Sequence, residues 1–204
     1  MVRVKICGIT NLEDALLVAE LGADAIGFIF YEKSPRSIDI ASAAMITRAL
    51  PPYLTRVGVF VNVERSIIDR TFKECKLDVA QLHGDETPEM VDRLGRDVIK
   101  SLRLKTEDDL EKISDYENCA FLLDTFDEER LGGTGRSFNW RWAKDAKRFN
   151  KPIVLSGGLN AENVEAAIDA AMPEAVDVSS GVEARPGKKD PKKLARFIRA
   201  VRLK

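Results

Sequence analysis

Short apolar runs recur along the chain, and stretches with helical periodicity separate most of them. Eight runs have the composition of strands: Val2–Cys7, Asp24–Phe30, Arg56–Val61, Val79–His83, Val98–Leu102, Ala120–Asp124, Ile153–Ser156 and Ala175–Val178. Strands that are nearly all apolar are typical of a parallel sheet whose faces are covered by helices. The pattern therefore predicts eight repeated units, each a strand followed by a helix.

Helix start signals follow several of these strands. Residues 10–13 resemble a capping box, which predicts Thr10 as the N-cap and Gly22 as the stop. Thr87-Pro88 predicts an N-cap followed by a proline in the first turn. Apolar positions at helical spacing predict the buried faces of three helices: Leu12, Leu16 and Ala19; Val164, Ile168 and Ala171 after Asn160; Leu194, Phe197, Ile198 and Val201.

Eight strand–helix units fit a closed (β/α)8 barrel, and 204 residues lie at the lower end of that fold's range. A doubly wound open sheet is the alternative, but the chain lacks its fingerprint. Gly133-Thr134-Gly135 lacks the third glycine of a dinucleotide-binding loop, and the segment from Gly181 to Lys189 is one residue too long for a P-loop. We therefore predict an α/β protein, a single-domain (β/α)8 TIM barrel over residues 1–204.

Composition excludes several classes of protein. The chain has 32 Lys and Arg against 33 Asp and Glu, so nothing favours nucleic acid as a partner. His83 is the single histidine, which rules out an all-histidine metal site within one chain. The three cysteines, Cys7, Cys75 and Cys119, are too far apart for a CxxC site, and an odd number does not suit a disulfide framework. Reduced thiols and a cytoplasmic location are the expectation.

Neither a membrane span nor a leader is expected. The longest apolar run, residues 25–31, is far shorter than the roughly 20 residues that cross a bilayer. Residues 1–6 lack the apolar core of a signal peptide. The chain has a single glutamine and many charged residues, a composition that favours a thermophilic source.

In a β/α barrel the active site lies at the carboxyl ends of the strands. Cys7 and Asp124 end predicted strands, and together they provide a base and an acid for proton transfer on an organophosphate. The alternative interpretation is that Cys7 is simply a small, buried hydrophobic residue without a catalytic role. Arg36 lies in a loop and either clamps an anion or is simply solvated.

Glycine-rich turns follow the seventh and eighth strands at Gly157-Gly158 and Ser180-Gly181. Glycine lets backbone N–H groups approach a ligand, and this part of a barrel is a frequent phosphate site. The alternative is that these glycines only permit tight turns. We expect a phosphate-binding type of barrel.

Motifs in nearly every unit resemble one family. They are Lys5-Ile6-Cys7-Gly8-Ile9, Gly27–Phe30 with Ser34-Pro35-Arg36, Val57–Asn62, Gln81-Leu82-His83-Gly84, Leu123-Asp124-Thr125, Gly132–Gly135 with Phe138 and Trp140, Leu155–Leu159 with Glu162–Val164, Asp177–Glu183 and Pro186–Asp190. In this order they resemble the phosphoribosylanthranilate isomerases of tryptophan biosynthesis. One departure is Asn139, where the family's Phe-Asp-Trp has aspartate, although asparagine also caps helices.

The resemblance implies an Amadori rearrangement of N-(5-phosphoribosyl)anthranilate by general acid–base catalysis. It implies that Asp124 is the general acid and Cys7 the general base, and that Arg36 binds the anthranilate carboxylate. It implies phosphate binding by Gly157, Gly158, Ser180 and Gly181, and supporting roles in the pocket for His83 and Asp177. The resemblance implies no cofactor and no metal. The expected partner is the small-molecule substrate, and the protein is expected to be a monomer or a homodimer.

Three rival classes remain at this point. A lyase similar to the tryptophan synthase alpha chain would use two carboxylates rather than Cys7. A metal-dependent sugar-phosphate epimerase would need several histidines. A non-catalytic phosphate-binding barrel would have no reason to place both Cys7 and Asp124 at the mouth.

Overall fold

The computed structural model describes residues 1–125 and 140–204, with the side chain of Thr125 excepted. Eight parallel strands close into a barrel in which each pairs with the next and the last pairs with the first. The strands are β1 Arg3–Cys7, β2 Ala25–Ile29, β3 Thr55–Phe60, β4 Val79–Leu82, β5 Val98–Leu104, β6 Ala120–Thr125, β7 Ile153–Leu155 and β8 Ala175–Val178. The predicted barrel is confirmed, and the predicted strand ends are within two residues of the observed ones.

Helical segments follow the strands around the outside of the barrel. The α-helices are α1 Leu12–Glu20, α2 Ile40–Ala49, α3 Arg65–Cys75, α4 Pro88–Arg93, α5 Trp140–Asp145, α6 Val164–Ala171 and α7 Pro191–Arg202. The 3-10 segments are Glu107–Asp115, Ala146–Phe149 and Ser180–Val182. A short antiparallel hairpin of β9 Glu183–Arg185 and β10 Lys188–Lys189 lies between β8 and α7.

The prediction for α1 is wrong in two respects. Asn11, not Thr10, is the N-cap, and its side chain accepts from the Asp14 backbone N–H. Leu12 and Leu16 are each 44% exposed, whereas Asp14, Ala15 and Val18 are buried. Asp14 pairs with Lys188 and accepts from the Lys189 backbone N–H. The side of α1 that carries Asp14 therefore faces the protein, and Leu12 and Leu16 face solvent.

The other helix predictions are confirmed. Thr87 caps α4 by accepting from the Met90 backbone N–H. The predicted apolar faces of α6 and α7 are buried. The segment Gly132–Gly135, with Phe138 and Asn139, lies outside the described residues.

Alternation along the strands separates two layers. In β1, Val4 and Ile6 belong to the apolar layer shared with the helices. Lys5 and Cys7 therefore point to the opposite face, into the barrel. The same alternation puts Asp124 on the interior face of β6, because Leu123 packs in the outer layer. The strand pattern thus brings the predicted acid and base to one end of the barrel interior.

Among the residues described, no helix is both long and apolar enough to cross a membrane.

Close packing of the outer layer depends on a glycine in β3. A Cβ at Gly58 would lie 2.5 Å from Leu77 Cδ1 and 2.8 Å from Phe60 Cε2. We expect Gly58→Ala to lower the free energy of unfolding by about 1–3 kcal/mol, because overpacking a buried layer forces its neighbours to shift. Urea unfolding measures the loss. A Leu77→Ala background should shrink it by making room, and an equal loss in both backgrounds would contradict this packing.

Candidate active site

Cys7 ends β1 at the mouth of the barrel, with a side chain that is almost fully buried. The next residue, Gly8, has a φ of +76°, and its N–H and that of Ile9 both donate to Gly27 O at 3.0 Å. A Cβ on Gly8 would lie 2.7 Å from Arg36 Cδ. Glycine is thus needed here both for the turn and for the close approach of the arginine side chain.

Gly27 of β2 is paired in register with Cys7. A Cβ at Gly27 would lie 2.8 Å from Cys7 Sγ and 3.3 Å from Lys5 Nζ. The missing side chain therefore leaves the space in which the thiol and the ammonium lie side by side. A glycine within an otherwise apolar strand is the sequence signal for such a close approach.

Lys5 and Asp177 form a buried ion pair inside the barrel. Their residues are directly paired between β1 and β8, and Nζ lies 2.9 Å from Asp177 Oδ1. Burial alone lowers the pKa of Lys5, but the Asp177 carboxylate and the Cys7 thiol outweigh it and raise the pKa. Lys5 is thus a fixed positive charge beside Cys7, and Asp177 is its partner.

The setting of the Cys7 thiol has opposing effects on its ionisation. Burial is the largest and raises the pKa of the thiol above its ordinary value. The positive charge of Lys5, which also hydrogen-bonds the sulfur, acts in the other direction; the Asp177 carboxylate adds to the rise, and Lys189 opposes it. The two lysines thus favour the thiolate, although burial and Asp177 outweigh them in the free protein.

Asp124 and His83 lie together at the mouth. His83 Nε2 is 3.7 Å from Asp124 Oδ2, and His83 Nδ1 is 3.1 Å from the amide nitrogen of Gln81. Burial lowers the pKa of His83 to about 4, so the ring beside Asp124 is neutral at pH 7 and adds no second charge.

Arg36 is neither solvated nor without a protein partner. Its Nε lies 2.9 Å from Glu183 Oε1, and its Nη2 lies 2.7 Å from Glu183 Oε2, a two-point ion pair. The Glu183 side chain is only 4% exposed. The pairing of Glu183 with Arg36 is not predictable from a local pattern, because 147 residues separate the two partners.

Lys189 is fully buried behind this pair. Its Nζ donates to Glu183 Oε1 at 3.0 Å, to Cys7 O at 2.6 Å and to Ser179 O at 3.2 Å. Burial lowers the pKa of Lys189, and Glu183 opposes that change. The lysine thus connects the backbone at the end of β1 to the carboxylate that holds Arg36.

A similar lysine orders the loop after β4. Lys100 Nζ donates to Glu86 Oε2 at 3.0 Å and to Gly84 O at 2.7 Å, and both side chains are buried. Glu86 in turn accepts from the Asn62 backbone N–H at 2.9 Å. This loop begins at His83, so the Lys100–Glu86 pair fixes the backbone that follows the histidine.

The glycine turns after β7 and β8 pack against one another. Gly157 and Gly158 have φ values of +87° and +64°. A Cβ on Gly181 would lie 1.9 Å from Leu159 O, so only glycine permits this approach of the two loops. Gly158 and Ser180 are exposed at the same end of the barrel as Cys7.

Within the two described segments, no group of three or more His, Cys, Asp or Glu side chains is arranged to hold a metal ion. The three cysteines are buried and unpaired.

Comparisons with known proteins agree with one another. The family model described as N-(5'phosphoribosyl)anthranilate (PRA) isomerase matches residues 4–200. The N-(5'-phosphoribosyl)anthranilate isomerase of Pelobacter propionicus is 52% identical over 202 residues, 99% of this chain and 96% of that protein. The phosphoribosyl anthranilate isomerase of Thermotoga maritima superposes with a TM-score of 0.94 at 48% identity, with all of both chains covered.

A further solved structure carries a ligand. It is described as a phosphoribosyl anthranilate isomerase in complex with reduced 1-(o-carboxyphenylamino)-1-deoxyribulose 5-phosphate. It superposes with a TM-score of 0.91 at 46% identity, again over all of both chains.

His83 provides a direct test of the electrostatics of the site. Burial, assisted by Arg103 and Lys5, lowers its pKa to about 4. The ring is therefore neutral at pH 7, and because the unfolded chain binds the proton more readily, this residue makes stability fall as the pH drops from about 6.5 toward 4. His83 is the single histidine, so an NMR titration of imidazole signals needs no assignment. We expect a midpoint near 4, and a midpoint near 6.5 would contradict this environment.

Proposed function

The chain belongs to the N-(5'-phosphoribosyl)anthranilate isomerase family, and from that premise we propose that Cys7 and Asp124 divide the proton transfers of the reaction. The enzyme converts N-(5-phosphoribosyl)anthranilate to 1-(2-carboxyphenylamino)-1-deoxy-D-ribulose 5-phosphate, a step in tryptophan biosynthesis. Asp124 is the general acid in this proposal and Cys7 the general base.

The proposed sequence has two proton transfers and a tautomerisation. Asp124 gives its proton to the furanose ring oxygen, the C1–O bond breaks, and the anthranilate nitrogen forms a Schiff base with C1. Cys7 then takes the proton from C2, and the electrons of that C–H bond move toward the Schiff-base nitrogen to form an enolamine. Tautomerisation of the enolamine gives the ketone. Positioned groups of this kind each contribute typically about 10²–10⁴-fold to the rate.

The observation that carries the proposal is the placement of one thiol and one carboxylate at the same end of the barrel. β1 and β6 are separated by only two strands, β7 and β8, in the closed sheet. Cys7 has Lys5 beside it, which stabilises the thiolate, and Asp124 has the neutral His83 beside it. A lyase with two catalytic carboxylates has no use for this thiol and its lysine.

The remaining groups would hold the two ends of the substrate. Arg36 projects from the loop after β2 and would bind the anthranilate carboxylate. The backbone of Gly157, Gly158, Ser180 and Gly181 would bind the phosphate, because the turns after β7 and β8 pack together at this end of the barrel, a frequent phosphate site in this fold. Asp177 would act through Lys5 rather than on the substrate.

The fluorescence of phosphoribosylanthranilate tests the activity directly. When the compound is mixed with purified protein, with no added metal or cofactor, its fluorescence should decay faster than spontaneous hydrolysis alone would cause. Decay at the spontaneous rate would reject the activity.

Two further expectations stay predictions. Light scattering would check that the protein is a monomer or homodimer, and a thermal melt would check that it is adapted to heat.

Replacement of either proton-transfer group should reduce turnover and spare binding. We expect Cys7→Ser and Asp124→Asn each to lower kcat by about 10²–10⁴-fold with little change in KM. The matched control is Cys119→Ser, the same chemical change at a buried thiol away from the mouth. Steady-state kinetics measure both constants, and near-normal kcat in either variant would reject that residue's role.

Lys5 should determine the pH at which Cys7 works. Its charge lowers the pKa of the thiol, so Lys5→Met is expected to raise that pKa and move the acidic limb of kcat/KM to higher pH. Lys5→Arg keeps the charge and is the control, with a smaller shift expected. The pH profile of the two variants and the wild type is the measurement. An unmoved limb in Lys5→Met would show that another group supplies the charge.

A further inference from the structure

Glu183 occupies one edge of the Arg36 guanidinium. Its two oxygens accept from Nε at 2.9 and 3.1 Å and from Nη2 at 2.7 Å. A guanidinium has five N–H donors in a rigid plane, and Nη1 with the second hydrogen of Nη2 makes another two-point edge. Among the described residues, Glu183 is the carboxylate that pairs with Arg36. One edge is therefore taken by the protein, and the other is directed away from Glu183.

Glu183 is itself held in place. It accepts from Lys189 Nζ at 3.0 Å and from the Gly187 backbone N–H at 3.4 Å, and it is almost fully buried. Burial alone would raise its pKa, but the hydrogen bonds from Arg36 and the charge of Lys189 lower it. The carboxylate is thus ionised, and its position is defined from two sides.

The same lysine reaches the catalytic strand. Lys189 Nζ donates to the backbone carbonyl of Cys7 at 2.6 Å. Arg36 and Cys7 are therefore tied to one buried ion pair, although they lie on different strand–loop units. This arrangement fixes the distance between the group proposed to bind the substrate carboxylate and the group proposed to remove its C2 proton.

We propose that Glu183 is the positioning residue of the carboxylate clamp: it holds the Nε–Nη2 edge of Arg36 so that the Nη1–Nη2 edge faces the anthranilate carboxylate. The inference rests on the proposed role of Arg36. Glu183 does not touch the substrate in this arrangement. Lys189 balances the charge of Glu183, and its hydrogen bond to the Cys7 carbonyl fixes the position of the clamp relative to Cys7.

A double-mutant cycle tests the positioning role. Glu183→Gln keeps the size of the side chain but can accept from only one of the two nitrogens and has no charge. We expect it to raise KM about tenfold with little change in kcat, because a misplaced binding group loses affinity while the proton-transfer groups stay in place. In an Arg36→Ala background the same substitution should add little, since Glu183 would act through the arginine.

Two inhibitors give a second readout. Anthranilate carries the carboxylate, and inorganic phosphate carries the other charged end of the substrate. Glu183→Gln should weaken inhibition by anthranilate about as much as it raises KM, and should leave inhibition by phosphate unchanged. Equal weakening of both would show a general disturbance of the site and overturn the proposal.

Asp24→Asn is the matched control. Asp24 accepts from Arg202 Nη2 at 2.8 Å at the opposite end of the barrel, so the variant makes the same carboxylate-to-amide change beside an arginine. It should lower thermal stability and leave KM unchanged. If Glu183→Gln does not fold, Glu183→Asp keeps the charge opposite Lys189 but shortens the side chain that reaches Arg36, and a rise in KM with little change in kcat is expected of it too.

The outcomes separate this inference from the function on which it rests. A rise in KM for Arg36→Ala but none for folded Glu183→Gln would overturn the positioning role and leave the clamp intact. An unchanged KM in Arg36→Ala would overturn the clamp and the inference together. Independent, multiplied effects of the two substitutions would show that Glu183 acts elsewhere.

Discussion

The mouth of this barrel is organised by the need to pair every buried charge. Three lysines are at most 3% exposed, and each is satisfied by a carboxylate. The pairs are Lys5 with Asp177, Lys100 with Glu86, and Lys189 with Glu183. Removal of one partner from such a pair typically costs about 3–5 kcal/mol, because the remaining charge is left without solvation. Each pair therefore constrains the local backbone far more strongly than a surface ion pair would.

These constraints become catalytic geometry because two of the lysines also bind backbone carbonyls. Lys100 holds the loop that follows His83, and Lys189 holds the carbonyl of Cys7. Each of these contacts ties the backbone beside a proposed site residue to a buried ion pair inside the barrel. The apolar layer outside the strands supplies stability, whereas these pairs determine where the loops lie.

Periodicity was sufficient to predict the strands, because both faces of each are buried and the apolar runs are unambiguous. It failed for α1, where the polar contact of Asp14 with Lys188 outweighs the packing of Leu12 and Leu16. The placement of Cys7 and Asp124 at one end of the barrel could be predicted from the sequence, because the ends of parallel strands in a barrel converge. Glu183 was not, since its role depends on a contact with an arginine 147 residues away that only the closed barrel brings together.

The shortage of histidine fits this electrostatic design. A charged imidazole would place a further positive charge 3.7 Å from the Asp124 carboxyl group. Burial, with smaller contributions from Arg103 and Lys5, lowers the pKa of His83 to about 4 and so keeps its ring neutral. The positive charge of Lys5 favours thiolate at Cys7, opposing the burial that raises its pKa. The buried lysines therefore favour thiolate at the proposed base, while burial keeps the neighbour of the proposed acid neutral.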